Sequence, residues 1–144
     1  MWYLAETPVH AVSESLQGFR GRDFSDAMLL RFGRPLAIVG IELPDDVADD
    51  IVDFDDPAAL ARFGVAPSVL ASEDREKTQA VASRVYASGA TGLRWWSALS
   101  GDWHTVVLFL DRAPVEALEI DAPQVLSREH AAVVSACRFL AMRL

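Results

Sequence analysis

Residues 89–101, Gly-Ala-Thr-Gly-Leu-Arg-Trp-Trp-Ser-Ala-Leu-Ser-Gly, constrain this chain more than any other stretch. Glycines at 89, 92 and 101 bracket an aromatic run that ends in Ser97. The apolar segment behind it, residues 104–110, has the length and β-branched content of a buried strand. A polar serine is thereby delivered beside a core strand. Taken alone, Trp95 and Trp96 read as packing and Ser97 as the start of a turn, because large aromatics mostly bury area.

At 144 residues the chain has the length of one domain able to bury its own core, and residues 1–144 are read as a single domain. No segment approaches the roughly 18 consecutive apolar residues that a membrane span requires. The N-terminus lacks a basic region followed by an apolar stretch, so no signal peptide is expected. One cysteine, Cys137, forms no internal disulfide, and these points together place the protein in the cytoplasm. Cys137 shares a helical stripe with Val133, Ala136 and Leu140, which makes it core rather than a nucleophile.

A formal charge of −8 argues against direct nucleic-acid binding, which needs clustered Lys and Arg. Seven aspartates, at positions 45, 46, 49, 50, 53, 55 and 56, form an acidic run that reads as a solvated face. It lacks the Gly and terminal Glu of a calcium loop, so no metal is expected there. An anionic ligand would bind elsewhere, near the arginines at 20, 22, 34, 84 or 94.

In chain order, residues 2–6 read as a short strand, and Thr7-Pro8 supplies an N-cap and first-turn proline for a helix to about Gly18. Val9, Val12, Leu16 and Phe19 form its core face. His10 and Glu14 lie one turn apart on the other side, where they read as an exposed pair contributing little. Ser25 or Asp23 is expected to cap a short helix through about Phe32, stopped by Gly33. Residues 36–43 read as an internal strand, since their apolar run is continuous. A brief strand at 51–54 and a turn of helix from Pro57 to about Phe63 follow. Ser72 is expected to cap a longer helix with Glu73, Asp74 and Glu76 in its first turns, ending at Gly89. Residues 115–120 read as an edge strand, and Ser127 as the cap of a final helix to about Met142. The sum is an α+β domain, a mixed sheet with segregated helices. No GxGxxG, P-loop, CxxC, HExxH or GxSxG is present to name a reaction.

Residues 3–14, Tyr-Leu-Ala-Glu-Thr-Pro-Val-His-Ala-Val-Ser-Glu, resemble the segment of RES-domain proteins in which a Tyr-Leu-Ala strand leads through Ser/Thr-Pro into a helix carrying the family's glutamate. Residues 93–98, Leu-Arg-Trp-Trp-Ser-Ala, with the strand behind them, resemble the later segment that carries the family's serine. Residues 77–82 are similar to the helix before that serine. The similarity covers roughly residues 1–112, and the order of the segments carries it more than any one motif.

The resemblance implies a toxin of a bacterial toxin-antitoxin pair, with a fold similar to ADP-ribosyltransferases, that consumes NAD by hydrolysis, phosphorolysis or ADP-ribosyl transfer. It implies Glu14 and Ser97 as catalytic residues, Tyr3 as the family's tyrosine, and a cognate antitoxin as partner. Trp95 or Trp96 would add a flat wall for a ring, and no metal is required. The family's arginine lies upstream of the Tyr-Leu-Ala strand, where this chain begins, so it has no counterpart. The diphosphate would then need a substitute such as Arg20 or Arg94. Two readings follow: an N-terminally shortened toxin that cleaves the nicotinamide glycosidic bond, or a catalytically inactive module of the same fold that binds an antitoxin-like partner. A domain that starts on a strand exposes a sheet edge, so an oligomer or an antitoxin complex is expected.

Overall fold

The computed structural model describes residues 1–70, 72, 74–113 and 115–144. In chain order its elements are β1 (Trp2–Ala5), α1 (Pro8–Leu16), β2 (Leu30–Arg31), β3 (Arg34–Pro35), β4 (Ala37–Ile38), β5 (Ile41–Glu42), α2 (Asp45–Ala48), β6 (Ile51–Asp53), α3 (Pro57–Phe63), α4 (Pro67–Leu70), α5 (Arg75–Ala87), β7 (Gly92–Trp96), β8 (His104–Leu108), β9 (Glu119–Ile120), β10 (Gln124–Val125) and α6 (Ala131–Phe139). The mixture of helices with a sheet that is part parallel and part antiparallel is the expected α+β class. The chain divides into two compact units, Met1–Glu6 with Glu42–Glu119, and Thr7–Ile41 with Ile120–Leu144.

The first unit is built on a four-stranded sheet in the order β1-β8-β7-β6. β8 pairs antiparallel with β1 and with β7, while β6 runs parallel to β7. The register puts Tyr3 opposite Val107, and Val107 opposite Leu93. Because side chains alternate across a strand, Tyr3, Leu93, Trp95 and Val107 share one face, and Arg94 and His104 share the other. Helix α5 covers the first face: Val81 and Val85 are buried with Leu93, Val107 and Phe109 in one cluster, which Phe54, Val65 and Leu70 extend. Each such aliphatic side chain stabilises the fold by about 1.5–3 kcal/mol when fully buried.

Local chemistry sets the helix ends. Asp56 accepts from the Ala58 amide at 2.8 Å and starts α3, and Gly64 closes it at φ 60°, a left-handed conformation that suits glycine. The cap of α5 is Asp74, whose carboxylate accepts from the amides of Glu76 and Lys77; Ser72 lies one step further out and accepts from the Asp74 amide at 3.1 Å. Glu73, expected in that first turn, falls outside the described residues. Residues 115–120 do not form one edge strand. They begin as a 3-10 turn over Val115–Ala117, with the Leu118 amide donating to the Val115 carbonyl at 3.1 Å, and only Glu119–Ile120 is extended.

The second unit packs α1 against α6. Thr7 caps α1 as expected, its hydroxyl accepting from the His10 amide at 3.2 Å. Val12 and Leu16 are buried with Val133, Ala136, Cys137 and Leu140. Burial pushes the Cys137 thiol up, which keeps it protonated and inert. The last helix starts later than expected, at Ala131, because the His130 ring rather than Ser127 accepts from the Ala132 amide at 3.2 Å.

Two expectations are corrected in this unit. Residues 36–43 are not an internal strand. They break into β4 and β5 at Val39 and Gly40, and β4 pairs with β10. The Gly40 carbonyl accepts from the Asp121 amide at 2.9 Å, and a Cβ on Gly40 would overlap the Asp121 carboxylate. The short helix through Phe32 is instead a single 3-10 turn, Asp26–Leu29, followed by the β2-β3 hairpin. Phe32 and Gly33 form its two-residue tip with φ 52° and 74°, the paired left-handed geometry that matches strand twist. Gly33 is therefore a turn residue, and holding Phe32 left-handed costs about 1–2 kcal/mol.

Candidate functional site

Tyr3 and Trp95 lie on the α5-covered face of the sheet and line a common cavity of about 520 Å3. Its sheet side adds Val107 and Phe109, and its helix side adds Thr78, Gln79, Ser83 and Tyr86. Tyr3, on edge strand β1, is 66% exposed. Tyr86 is held rigidly by three contacts. Its ring meets Phe109 edge-to-face at 5.1 Å, the Arg112 guanidinium sits 3.9 Å from its centroid, and its hydroxyl donates to Asp111 at 2.6 Å. That hydroxyl is pushed up by the hydrogen bond to Asp111, and the same bond holds the Asp111 carboxyl below its ordinary range. No Lys or Arg is among the residues lining the cavity. Aromatic walls with neutral polar groups suit a flat ring rather than a phosphate.

Ser97 leaves the end of β7 and is 7% exposed. Its amide donates to the Trp103 carbonyl at 2.7 Å, and its hydroxyl accepts from the Leu99 amide at 3.0 Å. The ladder thus continues one residue past Trp96, and a short serine turn then fixes the side chain.

Arg94 points away from the Tyr3 and Trp95 face, and Trp96, packed against the Phe54 and Val81 cluster, does not line the cavity. Arg94 is 23% exposed and gathers three carboxylates: Nε donates to Glu6 at 2.6 Å, and Nη1 donates to Asp53 at 2.9 Å and to Asp55 at 2.8 Å. His104 closes the group, with Nδ1 3.3 Å from Glu6 and Nε2 2.8 Å from Asp55. Burial acts to raise the Asp55 carboxyl, but hydrogen bonds from Arg94 and His104 outweigh it and hold the group below its ordinary range. Burial acts to lower the Arg94 guanidinium, and hydrogen bonds from Glu6, Asp55 and Asp53 raise it well above its ordinary value. One guanidinium facing three carboxylates presents no net positive charge, so Arg94 is poorly disposed to take a diphosphate. Among the described residues, no group of three or more His, Cys, Asp or Glu is arranged to hold a metal ion.

Glu14 belongs to the second unit. It is 37% exposed on α1, with Oε1 3.2 Å from Nε2 of His10 and Oε2 accepting from Gln17 at 3.0 Å. His10 is not the exposed partner that the helical spacing suggested. It is 1% exposed, because the buried arc of α1 takes in His10 and Ser13 beside Val12 and Leu16. Arg20 lies against Phe139, its guanidinium 5.8 Å from the ring centroid.

Sequence reasoning missed the Glu6, Asp53, Asp55 and His104 group around Arg94, and the Tyr86 wall. Strict alternation along β7 was the available signal for the first, since it sends Arg94 and Trp95 to opposite faces. Tyr86 gave no comparable signal, because its partners are 23 and more residues away.

No solved structure and no curated protein matches the chain. No helix among the described residues is long and apolar enough to cross a membrane. The RES domain family model matches residues 1–130, a span that takes in the Tyr3 strand, the Glu14 helix and the Ser97 turn alike, and the chain belongs to the RES domain family.

Proposed function

We propose that this protein is the toxin component of a toxin-antitoxin pair, that it consumes NAD, and that a cognate antitoxin neutralises it. The observation that carries the reading is the family match over residues 1–130, within which the cavity beside Tyr3 and Trp95 offers aromatic walls for a ring. The substrate's nicotinamide glycosidic bond breaks with its electron pair leaving on the nicotinamide nitrogen, and the ribose carbon gathers positive charge. Glu14 supplies the carboxylate that stabilises this charge or fixes a ribose hydroxyl. Ser97 orients the nicotinamide-ribose end. Water, phosphate or a protein nucleophile then bonds to the ribose carbon and gives up its proton.

A second reading, an inactive RES module that binds an antitoxin-like partner, is favoured by the carboxylates around Arg94, which leave it no spare charge for a diphosphate. One experiment separates the two. Nicotinamide release from NAD is measured with the purified protein, with and without phosphate, beside Glu14→Gln. Release that requires Glu14 supports the toxin reading, and its dependence on phosphate identifies the acceptor. Folded protein that releases nothing, together with undiminished cellular NAD on expression, overturns that reading in favour of the binding module.

A further inference from the structure

The β2-β3 hairpin ends in Phe32, which is 99% exposed. Arg31 and Arg34 flank it, both exposed and directly paired across the hairpin. Residues 27–41 carry these two cations and no acid, in a chain whose net charge is −8. No hydrogen bond or ion pair of either arginine is among those described. The hairpin keeps a bulky aromatic at a left-handed position that glycine or asparagine would occupy without strain. An aromatic tip between two cations fits a recess with an apolar floor and an acidic rim.

The first unit has such a recess. A cavity of about 380 Å3 lies where β6 meets α3, large enough for a phenyl ring. Val52, Ala59 and Phe63 provide apolar floor, and Asp49, Asp50 and Asp56 stand on its rim with Arg62. Asp50 accepts from the Thr91 amide and Asp56 caps α3, so Asp49 is the rim carboxylate with no such side-chain role described.

We propose that Phe32 of one copy, with Arg31 and Arg34, docks into the Asp49-rimmed cavity of a second copy. The two surfaces differ, so the contact is heterologous and joins copies head to tail. Across the rest of the surface, like net charge keeps copies apart, and the contact is the place where opposite charge meets. One hairpin buries little area, so the association is weak and salt-sensitive. The proposal is independent of the NAD reading.

Sedimentation velocity of the whole chain, over a range of concentrations, tests it. The expected result is reversible association at about 50 mM salt that weakens at least about tenfold by about 500 mM. Phe32→Ser weakens it by a similar factor while leaving the fold intact, since the side chain it removes is almost wholly exposed. Arg34→Glu and Asp49→Lys each weaken association alone, and mixing the two variants restores it. Wild-type protein that stays monomeric at millimolar concentration and low salt overturns the proposal. So does association indifferent to Phe32→Ser, or a mixture that associates no better than its components.

Discussion

Nε2 of His10 lies 3.2 Å from Oε1 of Glu14, which joins a side chain almost fully removed from water to one that is more than a third exposed. The buried ring anchors one oxygen of the carboxylate, and Gln17 holds the other at 3.0 Å. The Glu14 carboxylate is therefore set in one orientation before any substrate arrives, which is the condition for electrostatic stabilisation without reorganisation. Glu14→Gln is expected to lower NAD cleavage at least about a hundredfold. Its urea midpoint should stay close to wild type, because the side chain is more than a third exposed and the amide keeps its shape. His10→Ala should do the reverse in stability, costing about 1–3 kcal/mol by urea denaturation.

Tyr3→Ala and Trp95→Ala are each expected to weaken NAD binding about tenfold or more in calorimetric titration, since each removes a wall of the cavity beside α5. Trp96 does not line this cavity, and Trp96→Ala should leave binding within about twofold. Equal losses for Trp95 and Trp96 would mean that the cavity is not where the ring sits.

Asp55 predicts a pH dependence. Its folded-state value lies below the ordinary 3.8 because Arg94 and His104 hold the charged form. A depressed carboxyl contributes stability above its unfolded value and loses it as pH falls through the lower folded value. Wild-type protein should therefore lose stability below about pH 4 more steeply than Asp55→Asn, while at pH 7 the variant is the less stable of the two. Urea midpoints at both pH values decide it, and parallel acid limbs would remove Asp55 from the account.

Gly92 and Gly40 make a contrasting pair. A Cβ on Gly92 would run into the backbone carbonyl of Val107, which the β7-β8 ladder fixes in place. A Cβ on Gly40 would meet the Asp121 carboxylate, which can rotate away. Gly92→Ala should cost more than about 2 kcal/mol and Gly40→Ala less than about 1, by thermal or urea unfolding.

The elements with strong local punctuation were legible: Thr7-Pro8 opening α1, Asp56-Pro57 and Gly64 bounding α3, and the β-branched run of β8. What failed was decided at a distance. Residues 36–43 look like a core strand until Asp121 arrives beside Gly40, and Gly33 looks like a helix stop until Phe32 joins it in a hairpin turn. At the candidate site, Tyr3 and Trp95 as neighbours follow from strand pairing across β8, which a linear reading anticipates only as a sheet. Arg94 looked available for phosphate because its three carboxylates come from the residue after β1, from β6 and from the turn after β6. His10 looked exposed because helical spacing gives a face but not how wide the covered arc will be.

The pairing of α1 with α6 also bears on how the protein is made. The helix that carries Glu14 is synthesised more than a hundred residues before the helix it packs against. Closing so long a loop is slow and cannot begin until α6 has left the ribosome. A nascent chain can thus assemble the β1-β8 ladder while the Glu14 helix still lacks its packing partner, so the buried His10 that steadies the carboxylate is covered only once α6 has joined.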